Sequence, residues 1–407
     1  MAGGSTLSSI GKALRVAREK AGLSQEAASQ AVGINRVLLN YYEKEHRQVP
    51  LTVAATLARL YGTFIERLVA GEGEGEDESQ LDVSGVLFRA APKDLGDSAR
   101  GGLRLFEQRV SEYVELAGDM EVQLPGSGRS PFSEAHGVSA KESSWAARQL
   151  RRQLNLGEGA IGDPFQVLDE HVLIWRLPLG ADLGAAPSGF FYNHPEAGFC
   201  IVVNSDMTLG RQVFTLAHEL AHAYFHSQHA NVVVSMPGEY HGREQFADTF
   251  AGEFLVPGDE LRRVAGELGA LDGLSDPILV VHLQRHFGVS FATLRVRLKQ
   301  ERLISASDYD ALGEVSPSRL AKALGYRVHP ADLGSYELNP LEAQPTRVLL
   351  LVRAALERDV ITPGDAAETL GTSTEEIRQL RFRPVPADEE RRAQQDLEDA
   401  VFGKRGV

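Results

Sequence analysis

Cysteine is almost missing from this chain, with Cys200 the single one among 407 residues. A disulfide framework is thereby excluded, and the composition fits a reducing cytoplasm. Cys200 lies within the apolar run Phe199-Cys200-Ile201-Val202-Val203 and reads as a small buried hydrophobe. Long apolar stretches are missing as well. No segment approaches the roughly 18 residues of a membrane span, and the N-terminus lacks a basic-then-apolar leader. The expectation is a cytoplasmic protein with no membrane partner. An excess of positive charge is also absent: the net charge is −14 at pH 7. That balance argues against diffuse nucleic-acid binding over the whole surface. A chain of this length should hold two or three domains.

The first seventy residues depart from the acidic background. Ile10 to Lys20 has helical spacing and stops at Ala21-Gly22. Ser24 caps a short helix from Gln25 to Val32, Gly33 makes a turn, and Asn35 caps a third helix through Glu43. Leu51 to Tyr61 forms a fourth helix. Ala28, Val32, Ile34, Leu39 and Tyr42 face inward, which describes a helix-turn-helix. Lys12, Arg15, Arg18, Lys20, Arg36, Lys44 and Arg47 oppose Glu19, Glu26, Glu43 and Glu45, a local excess of three positive charges by seven minus four. Such a surface suits phosphates. Gln25, Arg36, Val37, Asn40, Tyr41 and Lys44 are the outward positions where contacts to double-stranded DNA are expected.

A second feature is rarer. The run Phe214-Thr215-Leu216-Ala217-His218-Glu219-Leu220-Ala221-His222 sets two histidines four apart in an apolar helix, where both imidazoles share one face. With 12 His among 407 residues, such a pattern arises by chance less than about one time in twenty. Buried polar groups of this kind cost several kcal/mol unless satisfied, and a zinc ion would satisfy them. The metzincin route to a third ligand fails, because Phe225 stands at its turn glycine and Gln228 at its third histidine, with His229 one place late. Downstream, Glu244 and Asp248 share a face of a second helix. Glu244 is therefore assigned to the metal with His218 and His222, Asp248 to orienting a ligand histidine, and Glu219 to general base. Zinc is the expected ion, with manganese the alternative. Tyr240, His241 and His226 are candidate donors to the reacting oxygen, His226 otherwise reading as a solvated histidine at a helix end.

These residues carry two resemblances. Residues 10–69 resemble the phage-repressor-type (XRE, Cro/C1) helix-turn-helix family through Leu23-Ser24-Gln25-Glu26, Val32-Gly33-Ile34 and Glu43. Residues from about 141 to 305 resemble the ImmA/IrrE metallopeptidases. Val202-Val203-Asn204, Arg211, the histidine motif, Glu244 with Ala247-Asp248 and Phe250-Ala251, then Leu255-Val256-Pro257 carry that likeness. The resemblance implies a zincin-like fold and cleavage of a partner repressor under stress or on mobile-element induction. Ala221 stands where glycine is common, Glu45 replaces a usual turn glycine, and Val37-Leu38 replace small polar residues.

The rest is organisation. The fold class is expected to be mainly α with a small β-sheet (α+β). Residues 1–70 form the DNA-binding domain, 71–83 an acidic Gly/Glu linker, 84–140 a connector, 141–305 the peptidase-like domain and 306–407 a helical C-terminal region. The connector reads as a short strand at Val86 to Arg89, a helix from Leu103 to Leu116 and a loose stretch from Pro125 to Pro131. Residues 144–155 read as an Arg-rich amphipathic helix, and 172–175, 189–192 and 199–203 as strands. Ile361 to Arg378 repeats a helix-glycine-helix rhythm on an acidic surface, which fits packing or dimerisation better than DNA. Asp388 to Asp399 reads as a solvated helix. The expected partners are duplex DNA, bound at a two-fold site by a homodimer, and a helix-turn-helix repressor as protein substrate. Two function classes follow: a protease tethered to DNA, or a regulator whose peptidase-like domain only senses a ligand or metal.

Overall fold

The structure, a computed structural model, describes residues 10–20, 23–47, 49–61, 96–132, 142–182, 186–227, 232–235, 242–269, 274–333 and 338–381. The acidic linker, the strand expected at 86–89 and the tail from 388 to 399 lie outside these residues. The architecture is mainly helical with one small sheet. The chain divides into two compact units, Met1–Ser111 and Glu112–Val407.

In the first unit, α1 (Ile10–Lys20), α2 (Gln25–Ala31), α3 (Arg36–Glu43) and α4 (Leu51–Tyr61) enclose a core of Leu14, Leu23, Ala28, Leu39, Leu57 and Tyr61. The caps are the ones expected: Ser24 accepts from the Ala27 amide at 3.1 Å, and Asn35 from the Val37 amide at 2.8 Å. The turn between α2 and α3 needs Gly33, whose φ is +69°. Glu45 adopts φ +60° after α3. A side chain in that left-handed conformation costs about 1 kcal/mol, so the turn keeps its shape without the usual glycine. A buried ion pair closes the unit. Arg18 grips Glu43 with two hydrogen bonds, at 2.5 and 2.9 Å, and donates a third to the Leu23 carbonyl.

The second unit follows α5 (Asp97–Asp119), which crosses the division. Its elements begin with α6 (Ser143–Gln153) and α7 (Pro164–Leu168), then β1 (Leu173–Leu177), β2 (Gly189–His194) and β3 (Gly198–Asn204). Next come α8 (Leu209–Ala221), a π-helical turn (His222–His226), β4 (Val232–Ser235) and α9 (Arg243–Leu255). α10 (Gly258–Glu267), α11 (Pro277–Phe287) and α12 (Phe291–Gln300) complete the region around the site. The strand order is β1-β3-β2-β4, with β1 parallel to β3 and the other pairs antiparallel. Every residue of β1, β2 and β3 is buried, which explains why these strands read as continuous apolar runs rather than alternating ones.

Helix α8 starts at the Thr208 cap, and every residue from Thr215 to Ala221 is buried. The histidine motif does not lie on a single α-helix. The α pattern ends at Ala221 and His222 opens the π turn. A π turn misaligns backbone carbonyls, and here the Ser130 hydroxyl donates to the Tyr224 carbonyl. The stretch expected to be loose is pinned in place. Asn193 holds Gly128 by accepting from its amide at 2.8 Å and donating to its carbonyl at 3.0 Å, while the Gly126 amide reaches the Glu196 carbonyl.

Helix α9 packs on α8 and α6 through Phe246, Ala247, Phe250, Ala251 and Phe254, all fully buried. Burying each phenylalanine contributes roughly 1.5–3 kcal/mol. The last described helices are α13 (Ala306–Gly313), α14 (Pro317–Ala323), α15 (Thr346–Glu357), α16 (Pro363–Leu370) and α17 (Thr374–Arg381). The helix-glycine-helix rhythm is present, with Gly371 at φ +64° between α16 and α17. This region is fastened to the rest of its unit. Asp332 accepts from the Gln284 side chain and the Phe291 amide, Asp169 accepts from the Thr346 amide, and the Arg176 amide donates to the Ala343 carbonyl at 2.9 Å.

A charge network under α9 generates the first prediction. Arg297, 2% exposed, donates to Glu253, to Glu301 at 2.8 Å, to Gln300 at 2.8 Å and to the Val256 carbonyl at 3.1 Å. Arg297→Met leaves the buried Glu253 with only the more exposed Arg148, and Glu301 with only Arg262, and should cost about 3 kcal/mol in chemical denaturation followed by circular dichroism. A loss below 1 kcal/mol would show that water reaches the network.

Candidate metal centre

The helical crossing of α8 and α9 builds the site. His218 comes from α8, His222 opens the π turn that continues it, and Glu244 lies in the first turn of α9. His218 Nε2 lies 3.0 Å from Glu244 Oε2, His222 Nε2 lies 3.3 Å from Glu244 Oε1, and the two Nε2 atoms are 3.2 Å apart. The three residues thus present one ligand atom each within 4.8 Å of one another. On the far side of the His218 ring, Nδ1 lies 2.9 Å from Asp248 Oδ1. The sequence spacing expected for a carboxylate behind a ligand histidine is therefore realised in distance.

The two carboxylates lie at opposite nitrogens of the His218 ring and favour positive charge there. Burial alone would depress the His218 pKa, but its hydrogen bonds to Asp248 and Glu244 outweigh burial and lift it to about 10. Burial acts to raise the Glu244 pKa, yet the contacts from His218 and His222 hold it well below the usual carboxylate range. His222 is pushed down, first by burial. A protonated His218 satisfies Glu244 and Asp248 in this arrangement. A divalent ion held by two neutral imidazoles and Glu244 satisfies the same charges, and this N/N/O donor set suits zinc.

Glu219 is fully buried, and among the described residues neither carboxylate oxygen has a well-formed hydrogen bond. Burial raises its pKa to about 8, with the charge on His218 and the nearby Ser235 hydroxyl acting the other way. Two residues absent from the sequence-based candidates shape its surroundings. Gly189 opens β2 where that strand crosses α8. A Cβ there would stand 2.6 Å from the Val202 carbonyl oxygen, 2.7 Å from Thr215 Cγ2 and 3.4 Å from Glu219 Cγ. Ser235, buried on β4, is the register partner of Gly189. A glycine heading an aromatic strand was the only available signal for the first. The Val232-Val233-Val234 run could have revealed β4, but nothing marked Ser235.

His226 is not a solvated helix-end residue. It is 1% exposed, and its Nδ1 lies 2.8 Å from His222 Nδ1, on the side of that ring remote from Glu244. This corrects its reading as a donor toward the reacting oxygen. Tyr240 and His241 lie outside the described residues.

On the helix-turn-helix, Arg36, Val37, Tyr41 and Lys44 are exposed along α3. Arg36 pairs loosely with Glu26, at 3.6 Å between exposed side chains. Gln25 is not simply outward. Its amide donates to Glu43 at 2.8 Å and approaches Asn40 Oδ1 at 3.4 Å, so both amides are partly committed within the domain.

Residues 177–299 match the family described as the IrrE N-terminal-like domain, a peptidase family, and residues 9–69 match a helix-turn-helix domain. The chain is thus similar to a helix-turn-helix domain over its first part and to the IrrE N-terminal-like domain further along. The IrrE-like match runs from the end of β1 nearly to the end of α12 and contains His218, Glu219, His222, Glu244 and Asp248. Among characterised proteins, the chain is similar to the HTH-type transcriptional regulator ImmR of Bacillus subtilis (strain 168). The two are 29% identical over 89 residues, which is 22% of this chain and 69% of ImmR. No solved structure gives a significant match. Among the described residues, no helix is long and apolar enough to cross a membrane.

If the three facing donors hold a metal, Glu244→Ala should abolish stoichiometric zinc retention. Asp248→Ala should weaken zinc binding by roughly 10–100-fold while leaving the helical content intact. Metal analysis of purified protein and chelator competition read both, and full zinc content in Glu244→Ala rejects the ligand set.

Proposed function

We propose that the chain is a DNA-tethered zinc metallopeptidase that regulates transcription by cutting one bond in a partner helix-turn-helix repressor. The observation that carries the reading is Glu219. A carboxylate buried beside three candidate ligands, with no well-formed hydrogen bond, costs several kcal/mol. A sensor of metal needs the ligands and gains nothing from that residue; a hydrolase needs it as a base.

The chemistry follows from the placement. His218, His222 and Glu244 would hold the ion, with Asp248 orienting His218. When bound, zinc supplies Lewis-acid polarisation of a carbonyl and lowers the pKa of water. Glu219 takes the proton of the attacking water and delivers it to the leaving amine. Burial raises the pKa of this carboxyl, the direction in which a carboxylate becomes a better acceptor of the water's proton. Arg36, Asn40 and Tyr41 on α3, Lys44 just after it and Gln25 at the start of α2 face the duplex, the cationic side chains taking phosphate or guanine. A homodimer matches a two-fold site. Tethering raises the effective concentration of protease near its target toward millimolar, so cleavage must be gated by a signal.

Glu219→Gln should retain zinc and lose cleavage by a factor on the order of 10² to 10⁴. The comparison is wild type against variant in cells under DNA damage or oxidative stress, following candidate repressors by N-terminal sequencing. Equal derepression by both forms would replace proteolysis with ligand sensing. For the DNA-binding part, Arg36→Ala should weaken duplex binding and flatten the dependence on log salt by about one unit, without altering zinc content. An unchanged salt slope in a fluorescence anisotropy titration removes Arg36 from the interface.

A further inference from the structure

The two candidate ligand histidines are supported differently. His218 has a carboxylate, Asp248, behind its Nδ1 at 2.9 Å. His222 has another imidazole there: His226 Nδ1 at 2.8 Å, with ring centroids 4.8 Å apart and planes inclined by 52°. His226 is held in turn by the edge of Phe246, centroids 5.3 Å apart, two residues beyond Glu244 on α9.

Two ring nitrogens at that separation share one proton. Two hydrogens would collide, and two lone pairs would repel. His222 can present a lone pair at Nε2, toward His218 and Glu244, only if its own hydrogen sits on Nδ1. That hydrogen then points at His226, whose Nδ1 must be the acceptor and whose own proton must lie on Nε2. The choice of an imidazole rather than a second carboxylate fits the position. His222 is fully buried, and another anion behind it would demand a further counter-charge in the interior.

We propose that His226 is a positioning residue whose Nδ1 accepts the Nδ1–H of His222, fixing the tautomer and ring orientation that present His222 Nε2 to a divalent cation. The inference rests on the metal-centre reading above and adds a residue to it. His226 touches neither ion nor substrate; it acts through His222.

The test uses the full chain and zinc alone. In chelator competition, His226→Leu, which fills the space without an acceptor, should bind zinc roughly 10–100-fold more weakly than wild type. His226→Asn, which restores an acceptor near the same place, should recover most of that loss. Near-ultraviolet circular dichroism checks that both variants fold. Long-range 15N correlation spectra of the histidines in the zinc-loaded wild type should show His222 carrying its proton on Nδ1 and His226 on Nε2, a readout independent of either variant. A wild type that binds zinc while His226→Leu equals it overturns the inference alone, as does equal impairment of the Leu and Asn variants or a proton on His226 Nδ1. A wild type that takes up no zinc overturns the metal centre and the inference together.

Discussion

The site depends on one constraint, the crossing of α8 and α9. His218 reaches Glu244 with one nitrogen and Asp248 with the other, 26 and 30 residues away in sequence. Neither carboxylate can be in range unless the two helices keep a fixed separation and rotation. The apolar ladder Phe246, Phe250 and Phe254, with Phe225 against the first two, sets that separation. A misplacement of an ångström would break geometry that the three facing side chains themselves are too few to enforce.

Beneath the ladder, buried arginines set the far end of α9. Arg151, 2% exposed, donates to the carbonyls of Gly157, Gly159 and Phe254, and burial lowers its pKa to about 10. Together with Arg297 on Glu253, it clamps the end of the helix that bears Glu244 and Asp248. These interactions serve geometry more than net stability. Desolvating two charges consumes most of what their attraction returns, whereas losing one partner is expensive. The interior of this unit is therefore rigid where the site needs it and intolerant of substitution there.

Much of the fold and the centre of the site were legible in the residues. The caps at Ser24 and Asn35, the turn at Gly33 and the apolar strands were readable because each is a local signal. Helical spacing paired His218 with His222 and Glu244 with Asp248, while the juxtaposition of the two pairs comes from the crossing of α8 and α9. What was not legible depends on contacts between distant segments. Gln25 is outward by helical phase, but Glu43, 18 residues on, captures its amide. His226 looks solvated by its place at a helix end, yet Phe246 and the pinned segment ending at Phe132 cover that end, Phe132 stacking on Phe225 at 4.7 Å. The change from α to π at His222 has no residue signature at all. Gly189 matters only because β2 passes over α8, a fact of topology rather than of pattern.

The Ala343 carbonyl that accepts from the Arg176 amide has a consequence for the sheet as a whole. Strands β1 and β4 are its two margins, and a margin with unmet amides and carbonyls recruits further strands. By laying Ala343 against β1, the C-terminal region blunts one margin with the chain's own backbone. Removing the residues from 338 onward would uncover β1 and offer its backbone groups as a template for self-association.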